Sequence, residues 1–147
     1  MGIEDIISLL EQKKILITEV FDISKKIEIY VKDDNSDFLV LLDKRESLLK
    51  RAAKCNSAIK NIINNEESEL SEEETQRLQK IIFEDEKLEN LSADELKIIE
   101  FIEENKKMFK KAVELNESIT TLVKREYEKT KKDLAKERST NSNNLFR

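Results

Sequence analysis

Proline is missing from this chain altogether, and glycine occurs once, at Gly2. Proline breaks a helix interior and glycine is the usual residue where a turn requires positive φ, so no interior position is marked for a kink or a tight turn. A β-rich fold needs such residues between its strands. Their absence excludes that class and leaves long helices. Histidine is also absent, which excludes His-based triads, His metal sites and imidazole pH switching. The single cysteine, Cys55, excludes an intramolecular disulfide and any Cys-x-x-Cys motif, and is compatible with a reducing compartment. No long hydrophobic run exists either. The longest, Phe38 to Leu42, is far short of the ~20 residues a membrane span needs, and the amino terminus has no signal-peptide pattern. A cytoplasmic protein with no membrane partner is expected.

What is present is charge. Charged residues make up 40% of the 147 positions and hydrophobic ones 38%, a balance that suits helices with narrow apolar seams and wide solvated faces. The length is that of one ordinary domain. The net charge of −5 disfavours non-specific binding to nucleic acid or anionic lipid.

Apolar residues recur at three- and four-residue steps from Ile3 to Val31, the mark of an amphipathic helix. Ile15, Leu16, Ile23, Ile29 and Tyr30 widen its stripe, so this helix should touch more than one neighbour. Lys32 to Ser36 favours a boundary. A second helix, from about Asp37 to Ile63, carries the cleanest seam: Phe38, Leu41, Arg45, Leu48, Ala52, Cys55, Ile59 and Ile62. Asn64 to Leu70 reads as a polar loop. Capping boxes at Ser71-Glu72-Glu73-Glu74 and Ser92-Ala93-Asp94-Glu95 open a short third helix and a long fourth one. The apolar side of the fourth holds Leu96, Ile99, Ile102, Phe109, Val113, Leu122, Val123, Tyr127 and Leu134. From Ser139 the period is lost. The expected architecture is all-α: an antiparallel bundle of three to four helices with a long C-terminal helix, one domain over 1–138 and a disordered tail over 139–147.

Candidate chemistry is sparse. Asp33, Asn35 and Asp37 have calcium-loop spacing, but Phe38 stands where that loop needs glycine and Lys44 where it needs a bidentate glutamate. The acidic run Glu66 to Glu74 enters a helix amino terminus, where negative charge is favoured without any catalytic role. Cys55 lies on the seam and has no histidine to activate it. No catalytic residue, cofactor or metal is therefore expected. Lys124 to Arg138 holds seven basic and four acidic residues with one aromatic, Tyr127, a pattern too mixed for a nucleic-acid surface.

Two expectations are structural. Leu48 and Ile59 should be core, and Arg45, a guanidinium on the seam, should pair with an acidic residue of a neighbouring helix. A third concerns length. A fourth helix running to Arg138 would be about 70 Å long and would overshoot the hairpin of the first two, at about 40–45 Å each. Its stripe of Ile119, Leu122, Val123, Tyr127 and Leu134 is the expected partner-binding surface, either open to a client helix or folded back to occlude one.

The stretch Asp37-Phe38-Leu39-Val40-Leu41-Leu42-Asp43-Lys44-Arg45-Glu46-Ser47-Leu48-Leu49, followed later by Glu114-Leu115-Asn116-Glu117-Ser118-Ile119 with Leu122, Glu126 and Leu134, resembles the flagellar export chaperones of the FliT-like and FlgN-like groups. The resemblance implies a non-enzymatic cytoplasmic chaperone for type III secretion. Its client would be the C-terminal helix of a secreted flagellar subunit, a filament-cap or hook-junction protein, delivered to the export apparatus. The alternative from another class is a structural coiled-coil homodimer or adaptor without a secreted client, in which a second copy covers the overhang.

Overall fold

The structure, a computed structural model, describes the backbone of residues 1–145 and the side chains of residues 1–138. It is an all-α bundle of four helices: α1 (Ile3–Lys32), α2 (Phe38–Asn64), α3 (Glu72–Phe83) and α4 (Ala93–Leu145). Each begins and ends for local reasons. Glu4 and Asp5 place negative charge in the first turn of α1, and the Gly2 amide donates to Asp5 Oδ2 at 2.9 Å. At its far end the Asn35 amide reaches back to the Tyr30 carbonyl at 2.8 Å and the Asp34 amide to that of Val31 at 3.3 Å, with Asp34 at φ 54°. That arrangement satisfies the last carbonyls of a helix and usually employs glycine. In a chain without interior glycine, Asp34, Asp85 and Asn90 take the positive-φ positions instead, since short polar side chains tolerate that region best. Scarcity of glycine therefore did not remove tight turns; it moved them onto Asp and Asn.

Both capping boxes form. Ser71 Oγ accepts from the Glu74 amide at 3.1 Å and the Ser71 amide donates to Glu74 Oε1 at 3.2 Å. Ser92 and Glu95 repeat the exchange at 3.1 and 3.0 Å. They start α3 and α4 where the sequence places them.

α1 is the central element. Ile6, Leu10, Ile17, Val20, Ser24, Ile27 and Val31 are all buried on it, and Lys13 completes their alternating three- and four-residue rhythm. Near the start of α1, Ile6 and Leu10 pack with Ile59, Ile62 and Ile63 of α2, Leu78 and Ile81 of α3 and Ile98 of α4. Towards its end, Leu16 to Val31 pack with Leu48, Ala52 and Cys55 of α2 and with Ala112 and Ile119 of α4. The level of each contact shows α2 antiparallel to α1 and α4 parallel to it. Each fully buried Ile or Leu contributes on the order of 1.5–3 kcal/mol from apolar burial, and the expected core residues Leu48 (5% exposed) and Ile59 (1%) are among them.

Three features differ from the sequence reading. The buried line of α4 is Glu95, Ile98, Asn105, Ala112 and Ile119, while Leu96, Phe109 and Val113, assigned to the apolar side, are exposed. Seven-residue steps from Ile98 to Ile119 keep one narrow line against α1, and the remaining apolar residues fall to either side of it. Second, Ile119 is in the core at 2% exposure, and Leu122 and Val123 pack against that core. They lie within reach of the hairpin because α4 runs beside α1 up to that level. Third, α4 continues as helix to Leu145, past the limit expected at Arg138. No proline or glycine follows to stop it, and each added residue gains a backbone hydrogen bond. Of the expected tail over 139–147, residues 146–147 lie outside the described residues.

Candidate functional site

α1 packs against α2 on one side and α4 on the other, but among the described residues no Cα of α2 comes within 8 Å of a Cα of α4. The two outer helices therefore stand apart as walls over an α1 floor. Two hollows lie in the gap. The larger, about 460 Å³, has Leu10, Lys13 and Ile17 of α1 beneath it, Leu49 and Ala53 of α2 and Phe109 of α4 beside it, and Phe83 of α3 at its end. The smaller, about 180 Å³, is lined by Val20, Ser24, Arg45, Ala112, Val113 and Asn116, together with Leu49 and Phe109. Leu49 and Phe109 border both, so the hollows form one groove along α1.

The groove is apolar with embedded polar groups. Phe109 (50% exposed) and Val113 (40%) present large apolar surface on the α4 wall, and Leu49 does so on α2. Ser24 on the floor is 1% exposed and its hydroxyl has no hydrogen-bond partner. Arg45 Nη1 is likewise buried without a partner, and burial draws the guanidinium pKa below its ordinary value. The intramolecular ion pair expected for Arg45 is absent among the described residues, because the wall of α4 that it faces offers Ala112, Val113 and Asn116 instead of a carboxylate. In the larger hollow the Asn105 side-chain amide donates to the Leu10 carbonyl at 3.4 Å and leaves its own Oδ1 unpartnered. Lys13 there is pushed down by burial, an effect that the neighbouring Cys55 partly opposes.

Charge is arranged unevenly. Lys13, Arg45 and Lys106 line the groove and no Asp or Glu does, on a chain whose net charge is −5. Lys106 is held by Asp85 at 2.9 Å at the rim. On the opposite edge of the α1–α4 contact, Lys14 pairs with Glu104 at 2.6 Å. Outside the groove lining, Arg77 of α3 grips Glu95 of α4. Acidic partners are thus committed outside the groove.

The sequence-predicted partner stripe is divided by the structure. Ile119, Leu122 and Val123 belong to the core or its edge, whereas Tyr127 is 70% exposed and Leu134 49% exposed on the overhanging part of α4. The five do not form one surface. The groove residues Lys13, Ser24 and Asn105 were not singled out from sequence. Their signal was position: Lys13 and Ser24 interrupt the seam of α1 in its own period, and Asn105 does so on α4.

Burial raises the Cys55 thiol pKa, with Lys13 and Arg51 opposing, and so disfavours the thiolate. Among the described residues no cluster of His, Cys, Asp or Glu has metal-binding geometry, and no helix is long and apolar enough to cross a membrane. Protein-family models, curated proteins and solved structures yield no match to this chain.

Proposed function

We propose that the chain is a helix-binding chaperone of the flagellar export kind, acting in the cytoplasm, whose groove between α2 and α4 receives an amphipathic helix from a secreted flagellar subunit. The observation that carries this reading is the open groove itself. α1 presents an apolar floor, the outer helices leave a gap over it, and Leu49, Phe109 and Val113 offer apolar walls to an incoming helix. A soluble bundle that served only as a scaffold would gain stability by closing that gap. The Asp37 to Leu49 stretch and the Glu114 to Ile119 stretch, which resemble the FliT-like and FlgN-like chaperones, both contribute groove residues: Arg45 and Leu49 from the first, Asn116 from the second.

The test is calorimetric titration of the full chain with the C-terminal segments of the filament-cap and hook-junction proteins of the same cell. One segment should bind, Val113→Glu should weaken it at least about tenfold by replacing an apolar wall contact with a charged side chain that occupies the hollow beside Arg45, and paired changes at Tyr127 and Leu134 should not. Failure of both segments to bind would remove the flagellar assignment. A second reading, a coiled-coil homodimer, is favoured by one observation: Tyr127 and Leu134 are uncovered on the overhang of α4. Sedimentation of the free protein distinguishes it, since that dimer would dissociate on changing Tyr127 and Leu134 to Glu.

A further inference from the structure

The smaller hollow joins three polar groups from three helices: Ser24 of α1, Arg45 of α2 and Asn116 of α4. We propose that this hollow is a carboxylate site, which takes the side chain of an Asp or Glu borne on the groove-facing side of an amphipathic helix from another protein. The inference rests on the groove reading above and goes further by naming what the bound helix must carry.

Three observations lead to it. Ser24 is almost wholly buried and its hydroxyl is unpartnered, although buried hydroxyls in folded proteins are normally hydrogen-bonded. Arg45 Nη1 is buried and unpartnered in the same hollow, and a guanidinium held in that state is satisfied best by a planar carboxylate, which it can meet through two parallel hydrogen bonds. Finally, neither hollow of the groove is lined by an acidic residue, so the chain supplies no carboxylate of its own there.

Charge also argues for a partner over a second copy of this chain. On the overhang of α4 the uncovered Tyr127 and Leu134 lie in the stretch Lys124 to Arg138, which carries seven basic against four acidic residues. Docking it beside Lys13 and Arg45 would set like charges together. An acidic amphipathic helix meets the opposite field.

Selection from a displayed library of helical peptides, with Leu and Ile at alternating three- and four-residue spacing and the other positions randomised, tests the proposal on the full chain. Groove binders are those that Val113→Glu weakens. The expected result is enrichment of Asp or Glu at one fixed register position beside the apolar stripe. Changing that residue to Gln or Asn should weaken binding to the native chain about tenfold or more, and should change binding to an Arg45→Met variant less than about twofold. A melting curve for Arg45→Met at or above that of the native chain shows that it is folded. Groove binders with no acidic enrichment, or with equal loss on both proteins, overturn the carboxylate site and leave the groove reading standing. Recovery of no groove binder overturns both. Dimerisation of the free protein that Arg45→Met abolishes would give the hollow to a second copy and overturn the assignment to a partner.

Discussion

The Arg77 guanidinium meets the Glu95 carboxylate twice, Nε to Oε2 at 2.9 Å and Nη2 to Oε1 at 3.2 Å, and the same carboxylate receives the Ser92 amide that caps α4. A second reach of Arg77 Nη2 to the Glu89 carbonyl at 3.1 Å ties the α3–α4 connection to the same point. One buried carboxylate thus starts α4 and docks α3, the helix whose Ile82 and Phe83 line the larger hollow.

That contact makes stability pH-dependent. Burial pushes the Glu95 pKa up, but hydrogen bonds from Arg77 and Ser92 more than offset it and leave the carboxyl below its ordinary value. A carboxyl depressed in the folded state contributes stability above its unfolded pKa of about 4.3, and loses it as pH falls through the folded value. Thermal melts of the native chain should therefore fall as the solution is acidified below about pH 4.3, and Glu95→Gln should flatten that part of the profile. At neutral pH Glu95→Gln should cost about 1–3 kcal/mol, the range for a lost charged hydrogen bond. An unchanged acid slope in the variant would place the dependence elsewhere.

Leu48→Ala and Ile59→Ala should each cost about 2–5 kcal/mol in urea denaturation, because both side chains are buried in separate halves of the core. Tyr127→Ala and Leu134→Ala should stay within about 0.5 kcal/mol of the native chain. A large loss at either α4 position would show that its side chain is covered in solution.

Groups that lack partners in the free protein should be dispensable for folding. Ser24→Ala removes a buried, unpaired hydroxyl and should be neutral or stabilising by up to about 1 kcal/mol. Arg45→Met keeps the apolar stem and removes a half-buried guanidinium whose Nη1 lacks a partner, so it should melt higher than Arg45→Ala, which leaves a gap. Destabilisation by both Ser24→Ala and Arg45→Met would mean that these groups are satisfied within the free chain.

Truncation after Lys124 should leave both the melt and groove affinity nearly unchanged, since the exposed residues Lys124 to Arg138 contribute neither to the core nor to the groove lining. Truncation after Asn116 removes Ile119 from the core and should cost about 2–4 kcal/mol. Tighter client binding by the first truncation would instead indicate that the overhang competes for the groove.

Ser71 with Glu74 and Ser92 with Glu95 determined by themselves where α3 and α4 begin, because a capping box spans only four residues and needs no tertiary partner. The seam of α2 was equally legible: Leu48, Ala52, Cys55, Ile59 and Ile62 are buried along one side of the helix and so keep one period. α1 announced by its wide stripe that it would touch two neighbours. Only the tertiary structure decided that those neighbours, α2 and α4, would pack on α1 without closing on each other. Helical periodicity reports how much of a helix is buried, whereas the angle between two neighbours depends on three bodies packing at once. For that reason Phe109 and Val113 read as core and stand in a groove wall, Ile119 reads as surface and lies in the core, and Arg45 reads as paired and faces an open hollow. Whether a seam charge finds a carboxylate depends on which wall it meets, and that wall comes from a helix more than sixty residues away in sequence, between Arg45 and Ala112.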